Sequence, residues 1–261
     1  MSINRTSSMK KSKLLLAGAV LCSTIGCGQS LFSTFRKTDP ATEACRELEK
    51  KDPDAAINIL NSALEGSPGN AKYLSILATA YAQRAGVDPL NLALNMGTSS
   101  SSKTSLKLAS SAGSAADFTA MFSLLPAAVQ SAIDDVDLSV KILTDQISPD
   151  ERQPGDLFKA AIYMTASMVL HVKKFDAAGD GALSVSDLAS LTAEDAAAIL
   201  NNLASAITLL GTSGSADGGG QAASAQAASA LEAYSAQITS SSGSDDTEKL
   251  RAYLSASGNS R

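Results

Sequence analysis

Residues 53–81 read PDAAINILNSALEGSPGNAKYLSILATAY. Apolar and small residues recur in this stretch at intervals of three and four, the period of an amphipathic helix. The spacing predicts one helix over Pro53–Glu65 and a second over Asn70–Ala85, with Pro68 in the turn between them. Upstream, Ala41–Lys51 has the same character. Downstream, a short helix is expected over Val87–Asn95, a Ser/Gly/Lys surface loop over Gly97–Ser105, and a weaker helical segment over Leu106–Leu125. Over residues 126–147, Val129, Ile133, Val136, Val140, Leu143 and Ile147 mark one apolar stripe, with Pro126 suited to the first turn. Asp156–Phe175 is apolar nearly all round and reads as a central buried helix, partnered by Thr192–Leu210 with Thr192 and Asp195 as a capping box. No β-alternation competes with these periods. The fold class is therefore all-α, a helical bundle over 41–210, preceded by a flexible tether. Gly211–Gly220 reads as a glycine/serine linker, and 211–261 as that linker plus a partly ordered tail with helical stretches near Ala222–Ile238 and Thr247–Leu254.

The quoted stretch resembles the second helix of one tetratricopeptide repeat followed by the first helix of the next. Ala56, Leu60, Ala63 and Pro68 fall at the second-helix and turn positions with 4-3-5 spacing. Leu77, Ala78 and Tyr81 match the following first helix, and Leu74 stands where the family prefers tryptophan. The resemblance covers 53–85. It implies protein binding, with Asn70, Lys72, Ser75, Thr79 and Gln83 as partner-binding candidates on the exposed first-helix face. An antiparallel helix pair with coincident alanine spacing is the alternative.

Composition narrows the function classes. The 261 residues are 44% hydrophobic but only 4% aromatic, without tryptophan, and carry a formal charge of −5. Residues 1–26 hold Arg5, Lys10, Lys11 and Lys13 and no acid, so a chain beginning at Cys27 loses four cations and reaches −9. An acidic surface disfavours nucleic acid as a partner. One histidine, His171, and three cysteines supply little for a His-based triad or a zinc site. His171 reads as a core-edge side chain near a helix end, and Asp134-Asp135-Val136-Asp137 as a solvated helix face with Lys141 as the i,i+4 mate of Asp137. The expectation is a non-enzyme.

Residues 9–27, MKKSKLLLAGAVLCSTIGC, combine a lysine-rich start, a short apolar run and small residues, the pattern of a secretory signal. Thr24-Ile25-Gly26-Cys27 resembles the lipobox of bacterial lipoproteins, with Thr24 where leucine is usual. That resemblance implies removal of a signal peptide over 1–26, acylation of Cys27 by lipid chains such as palmitate, and a tether over 27–40. It makes the membrane a partner through the anchor. Gly28 after the cysteine favours the outer membrane, facing the periplasm. Met9 is the more natural start. Cys22 leaves with the signal, and Cys45, the remaining thiol, is expected to be a small buried hydrophobe.

Residues 176–187, DAAGDGALSVSD, resemble a degenerate EF-hand calcium loop. The resemblance gives Asp176, Asp180, Ala182 (through its carbonyl), Ser184 and Asp187 as metal ligands, with Gly181 at the sharp turn and Leu183 packing inward. Ala178 removes the third-position oxygen, and Asp187 is shorter than the usual glutamate, so calcium is the one cofactor considered and binding should be weak. Two functions follow. The first is a cell-envelope lipoprotein acting as a protein-binding scaffold for an envelope partner. The second is a small-ligand-binding protein serving a transporter, which needs a pocket of roughly 300 Å³ or more among the bundle's apolar faces.

Overall fold

The computed structural model describes residues 39–89, 91–92, 118–119, 121–214 and 221–256. Among them are eight α-helices and no strand: α1 (Pro40–Glu49), α2 (Pro53–Gly66), α3 (Ala71–Arg84), α4 (Gln130–Lys141), α5 (Pro154–Lys173), α6 (Ala193–Gly214), α7 (Gln221–Ser240) and α8 (Asp246–Ser255). Cys27 and most of the expected tether, the loop 97–105 and residues 215–220 lie outside the described residues.

The helix starts are written locally. Asp39, Asp52, Asn70 and Asp245 each turn a side-chain oxygen onto a backbone N–H of the first turn of α1, α2, α3 and α8. Proline occupies the first position of α1, α2 and α5, where its missing N–H costs nothing. At α6 the expected capping box forms: the Asp195 N–H donates to Thr192 Oγ1 at 3.1 Å, and the Thr192 N–H donates to Asp195 Oδ2 at 3.1 Å.

Each helix packs mainly on its neighbours in sequence. The first three form one unit in which α2 and α3 are joined by the four residues 67–70, and Ala56, Leu60, Leu77 and Ala78 are buried between helices. Helix α4 links this unit to α5. The latter is buried on nearly every side from Ala160 to Val172, as its all-round apolar sequence predicts. Helix α6 is long and apolar enough to cross a membrane by length and composition. In this fold it packs on α5 and α7 and buries Ala196, Ile199, Leu203, Ala206 and Leu210.

Five expectations need correction. The helical core does not stop at residue 210. Helices α7 and α8 bury Ala227, Leu231, Tyr234, Ile238, Leu250, Tyr253 and Leu254, and Phe118 stacks edge-on against Tyr234 at 5.6 Å and Tyr253 at 6.3 Å. Small residues let α7 lie close to α6, and scarce aromatics concentrated at one point supply the area that alanine lacks. Pro126 does not open α4, which begins at Gln130. Pro126 instead packs against Gly86, where an added Cβ would meet its ring at 3.3 Å. Leu143 lies past α4, in a wide π-type turn over Ile142–Gln146, and Ile147 follows that turn. Cys45 is exposed: α1 buries only Ala41 and Ala44, with Leu48 partly covered, and Cys45 stands off that stripe.

The acidic run on α4 is not a solvated face. Asp134 is exposed and accepts from Gln130 Nε2 at 2.8 Å, the Asp137 side chain is 43% exposed, and Asp135 is buried. Asp135 and Asp137 are two residues apart, about 200° around a helix, so they leave α4 on opposite sides and enter two different interfaces.

Candidate partner-docking groove

Arg84 ends α3 and is the centre of the first interface. Its Nε donates to Asp135 Oδ2 at 2.8 Å and its Nη2 to Asp135 Oδ1 at 2.6 Å, a bidentate pair. Its Nη1 donates to Asp54 Oδ1 at 3.1 Å, and the guanidinium lies 4.9 Å from the Tyr81 ring centre. One side chain thus ties α2, α3 and α4. The Asp135 carboxylate, and then Asp54, outweigh burial and hold Arg84 further above its ordinary range, so its charge is permanent.

Two clefts open on either side of this clamp. The larger, about 580 Å³, has apolar walls from Leu48, Pro53, Val87 and Pro89 and polar groups from Thr79 and Gln83. Its edges are two helix ends of the same design. After α1, the Asp52 N–H donates to Glu47 O and the Lys51 N–H to Leu48 O; after α3, the Val87 N–H donates to Ala82 O and the Gly86 N–H to Gln83 O. Both are Schellman turns, which need a left-handed residue. Gly86 supplies it at φ 82°, whereas Lys51 adopts φ 62° with a side chain attached. The smaller cleft, about 450 Å³, runs past Pro126, Ala127 and Val129 to Asp134 and Asp135. Val129 is the N-cap of α4, makes no side-chain cap, and is 55% exposed.

The five residues expected to contact a partner do not share one face. Thr79 and Gln83 line the larger cleft, where Gln83 Nε2 also donates to Leu48 O at 3.0 Å and Thr79 Oγ1 to Ser75 O at 3.0 Å. Ser75 turns toward α5, donating to Asp156 and accepting from Lys159. Lys72 pairs with Asp39 at 2.8 Å, and Asn70 caps α3. Sequence spacing could not show that α5 would cover the middle of this helix face.

The second interface gathers the residue types of a hydrolytic triad in a different order. His171 Nε2 lies 3.1 Å from Asp137 Oδ2, Ser167 donates to the other Asp137 oxygen, and Asn202 Nδ2 donates to Ser167 Oγ at 3.0 Å. Both His171 and Ser167 bond the carboxylate rather than each other, so the histidine is not placed to take the serine's proton. Burial raises the Asp137 carboxyl, but the His171 and Ser167 bonds outweigh it and hold it below the ordinary range. Nearby, burial is likewise outweighed at Asp195, which Lys174 at 2.6 Å and Thr192 bring down to about 2. Lys173 donates to three carbonyls, of Phe122, Leu125 and Pro126, at 2.7–2.9 Å, and so fastens the segment before α4 to α5. The expected core-edge position of His171 holds, but its partner lies 34 residues away and no local signal announces it.

The loop 176–187 closes upon its own backbone. The Asp176 carboxylate accepts from the Gly179 N–H at 2.8 Å and the Gly181 N–H at 2.9 Å; Asp180 accepts from the Ala182 N–H at 2.9 Å. Asp187 accepts from the Ser184 N–H and hydroxyl at 2.8 and 2.6 Å, while Gly181 turns at φ 73° and Leu183 is fully buried. Gly181 and Leu183 are thus placed as expected. Among the described residues no three His, Cys, Asp or Glu side chains form a group that could hold a metal ion.

Compared with known protein families, characterised proteins and solved structures, the chain matches none.

Proposed function

We propose that this chain is a cell-envelope lipoprotein whose helical domain is a non-catalytic scaffold for another envelope protein, anchored through Cys27 in the outer membrane and facing the periplasm. The observation that carries the scaffold half of this reading is the open groove around Arg84, rimmed by an exposed valine and walled by apolar side chains. Support for the membrane half comes from the sequence of residues 9–27, and support for a repeat-like pair from the burial of Ala56, Leu60, Leu77 and Ala78. Cells fed labelled palmitate should yield labelled protein, and Cys27→Ala should release it from the membrane fraction. Crosslinked membranes should then return a stable envelope partner; recovery of the bait alone across crosslinkers counts against the scaffold.

Small-ligand binding is the second reading. The cleft of about 580 Å³ favours it, being within the usual size of a ligand pocket. It lies at the α1–α3 end of the molecule and opens to solvent. No step of either reading runs through calcium.

A further inference from the structure

Three features of the groove combine. First, Val129 occupies an N-cap, a position where Ser, Thr, Asp or Asn would satisfy a free N–H and where valine is among the poorest choices. It is one of two large apolar side chains strongly exposed among the described residues, the other being Val185. A local rule broken on the surface at some cost to stability is expected at functional sites. Second, apolar side chains line both clefts, Val129 and Pro126 in the smaller and Leu48, Pro53 and Pro89 in the larger, and the close contact between Gly86 and Pro126 joins a wall of one to a wall of the other. Third, the charges along this path are unbalanced. Glu49 and Asp88 line the larger cleft with Lys51, Asp134 and Asp135 line the smaller, and the charge of Arg84, which lines both, is already taken up by Asp54 and Asp135.

We infer that the groove flanking Arg84 docks an apolar-anchored basic segment of the partner protein, its apolar side chain resting on Val129 and Pro126 and its cations facing Asp134 and Glu49. This rests on the scaffold reading and names the surface and the partner chemistry. Apolar contact supplies the affinity, and the carboxylates set orientation and exclude acidic segments.

The test uses the full chain in phosphatidylcholine nanodiscs, with empty discs as the blank. The probes are a fluorescein-labelled twelve-residue peptide of alternating leucine and lysine pairs and its leucine–glutamate counterpart. Only the lysine peptide should bind. Val129→Ser should raise Tm by about 2–4 °C, because it restores a cap, and weaken the peptide at least about fivefold. Asp134→Lys should weaken it similarly, whereas Glu232→Lys, on the exposed face of α7, should leave it unchanged. Equal binding of both peptides, equal loss in Glu232→Lys, or a stabilised Val129→Ser with full affinity overturns the proposal. In cells, a benzophenone side chain at position 232 that traps an envelope protein, when one at position 129 traps none, upholds the scaffold and overturns the groove.

Discussion

The two sides of α4 hold the molecule together by different means. On one side Asp135 meets Arg84 in a bidentate pair with a cation that does not titrate. On the other, Asp137 meets an imidazole, a hydroxyl and, through that hydroxyl, an amide. The first joint is a charge pair that also reaches Asp54; the second is a hydrogen-bonded network whose ionic character depends on a proton at His171. Two aspartates separated by one valine therefore do different work, because the helix turns them toward different neighbours.

The sharpest way to break this comparison is Arg84→Met, which leaves Asp135 nearly buried without its cation and unlinks three helices. The expected cost is about 2–3 kcal/mol, less than the ~3–5 kcal/mol of a fully buried pair because the guanidinium is 37% exposed. Urea unfolding measures it; a loss under about 0.5 kcal/mol would mean that the clamp is ornamental. Asp137→Ala should cost about 1–2 kcal/mol, since Ser167 keeps Asn202 and only His171 and one hydroxyl lose a partner. If it costs more than Arg84→Met, the ranking of the two joints is reversed.

Acid bears on the Asp137 joint. Asp137 and Asp195 have folded pKa values below the unfolded value of about 3.9. Their contribution is complete above that value and is lost as pH falls through the folded values. Melting temperature should therefore drop between about pH 4 and pH 2, and Asp137→Asn should flatten part of that drop. Parallel profiles for wild type and Asp137→Asn would show that the network does not hold the carboxylate.

The smallest effect is expected just beyond the His171 end of α5, in the loop 176–187. With its carboxylates on backbone N–H groups, 10 mM calcium should move Tm by about 1 °C or less. For a site of Kd about 1 mM the same addition contributes about 1.4 kcal/mol. A rise of several degrees, absent with magnesium and abolished by Asp176→Ala, would establish the loop as a calcium site.

Much of this architecture was legible because its determinants are local. The starts of α2, α3 and α6 are set by Asp52, Asn70 and Thr192–Asp195, within a turn of the residues they cap, and α5 is marked by an unbroken apolar stretch beginning at Pro154. What escaped is non-local. Asp135 and Arg84 are 51 residues apart, and Asp137 and His171 are 34 apart, so each acid looked solvated beside its own helical neighbours. Helix α7 read as part of a tail because alanine contributes little to a count of large apolar residues, although it permits close packing. The groove was invisible for the same reason. It is assembled from the α1–α2 turn, the end of α3 and the start of α4, no two of which announce each other.

Helix α4 has a further consequence for how the molecule comes apart. In a chain whose helices rest chiefly on their sequence neighbours, cooperativity passes through each contact in turn. Helix α4 is one span between α1–α3 and α5–α8, packed through the buried Ala132, Ile133 and Val136 and fastened at both sides by charged side chains. Amide protons on α4 should therefore exchange only through openings that also release one flank, and a bond cut on either side should turn one unfolding transition into two.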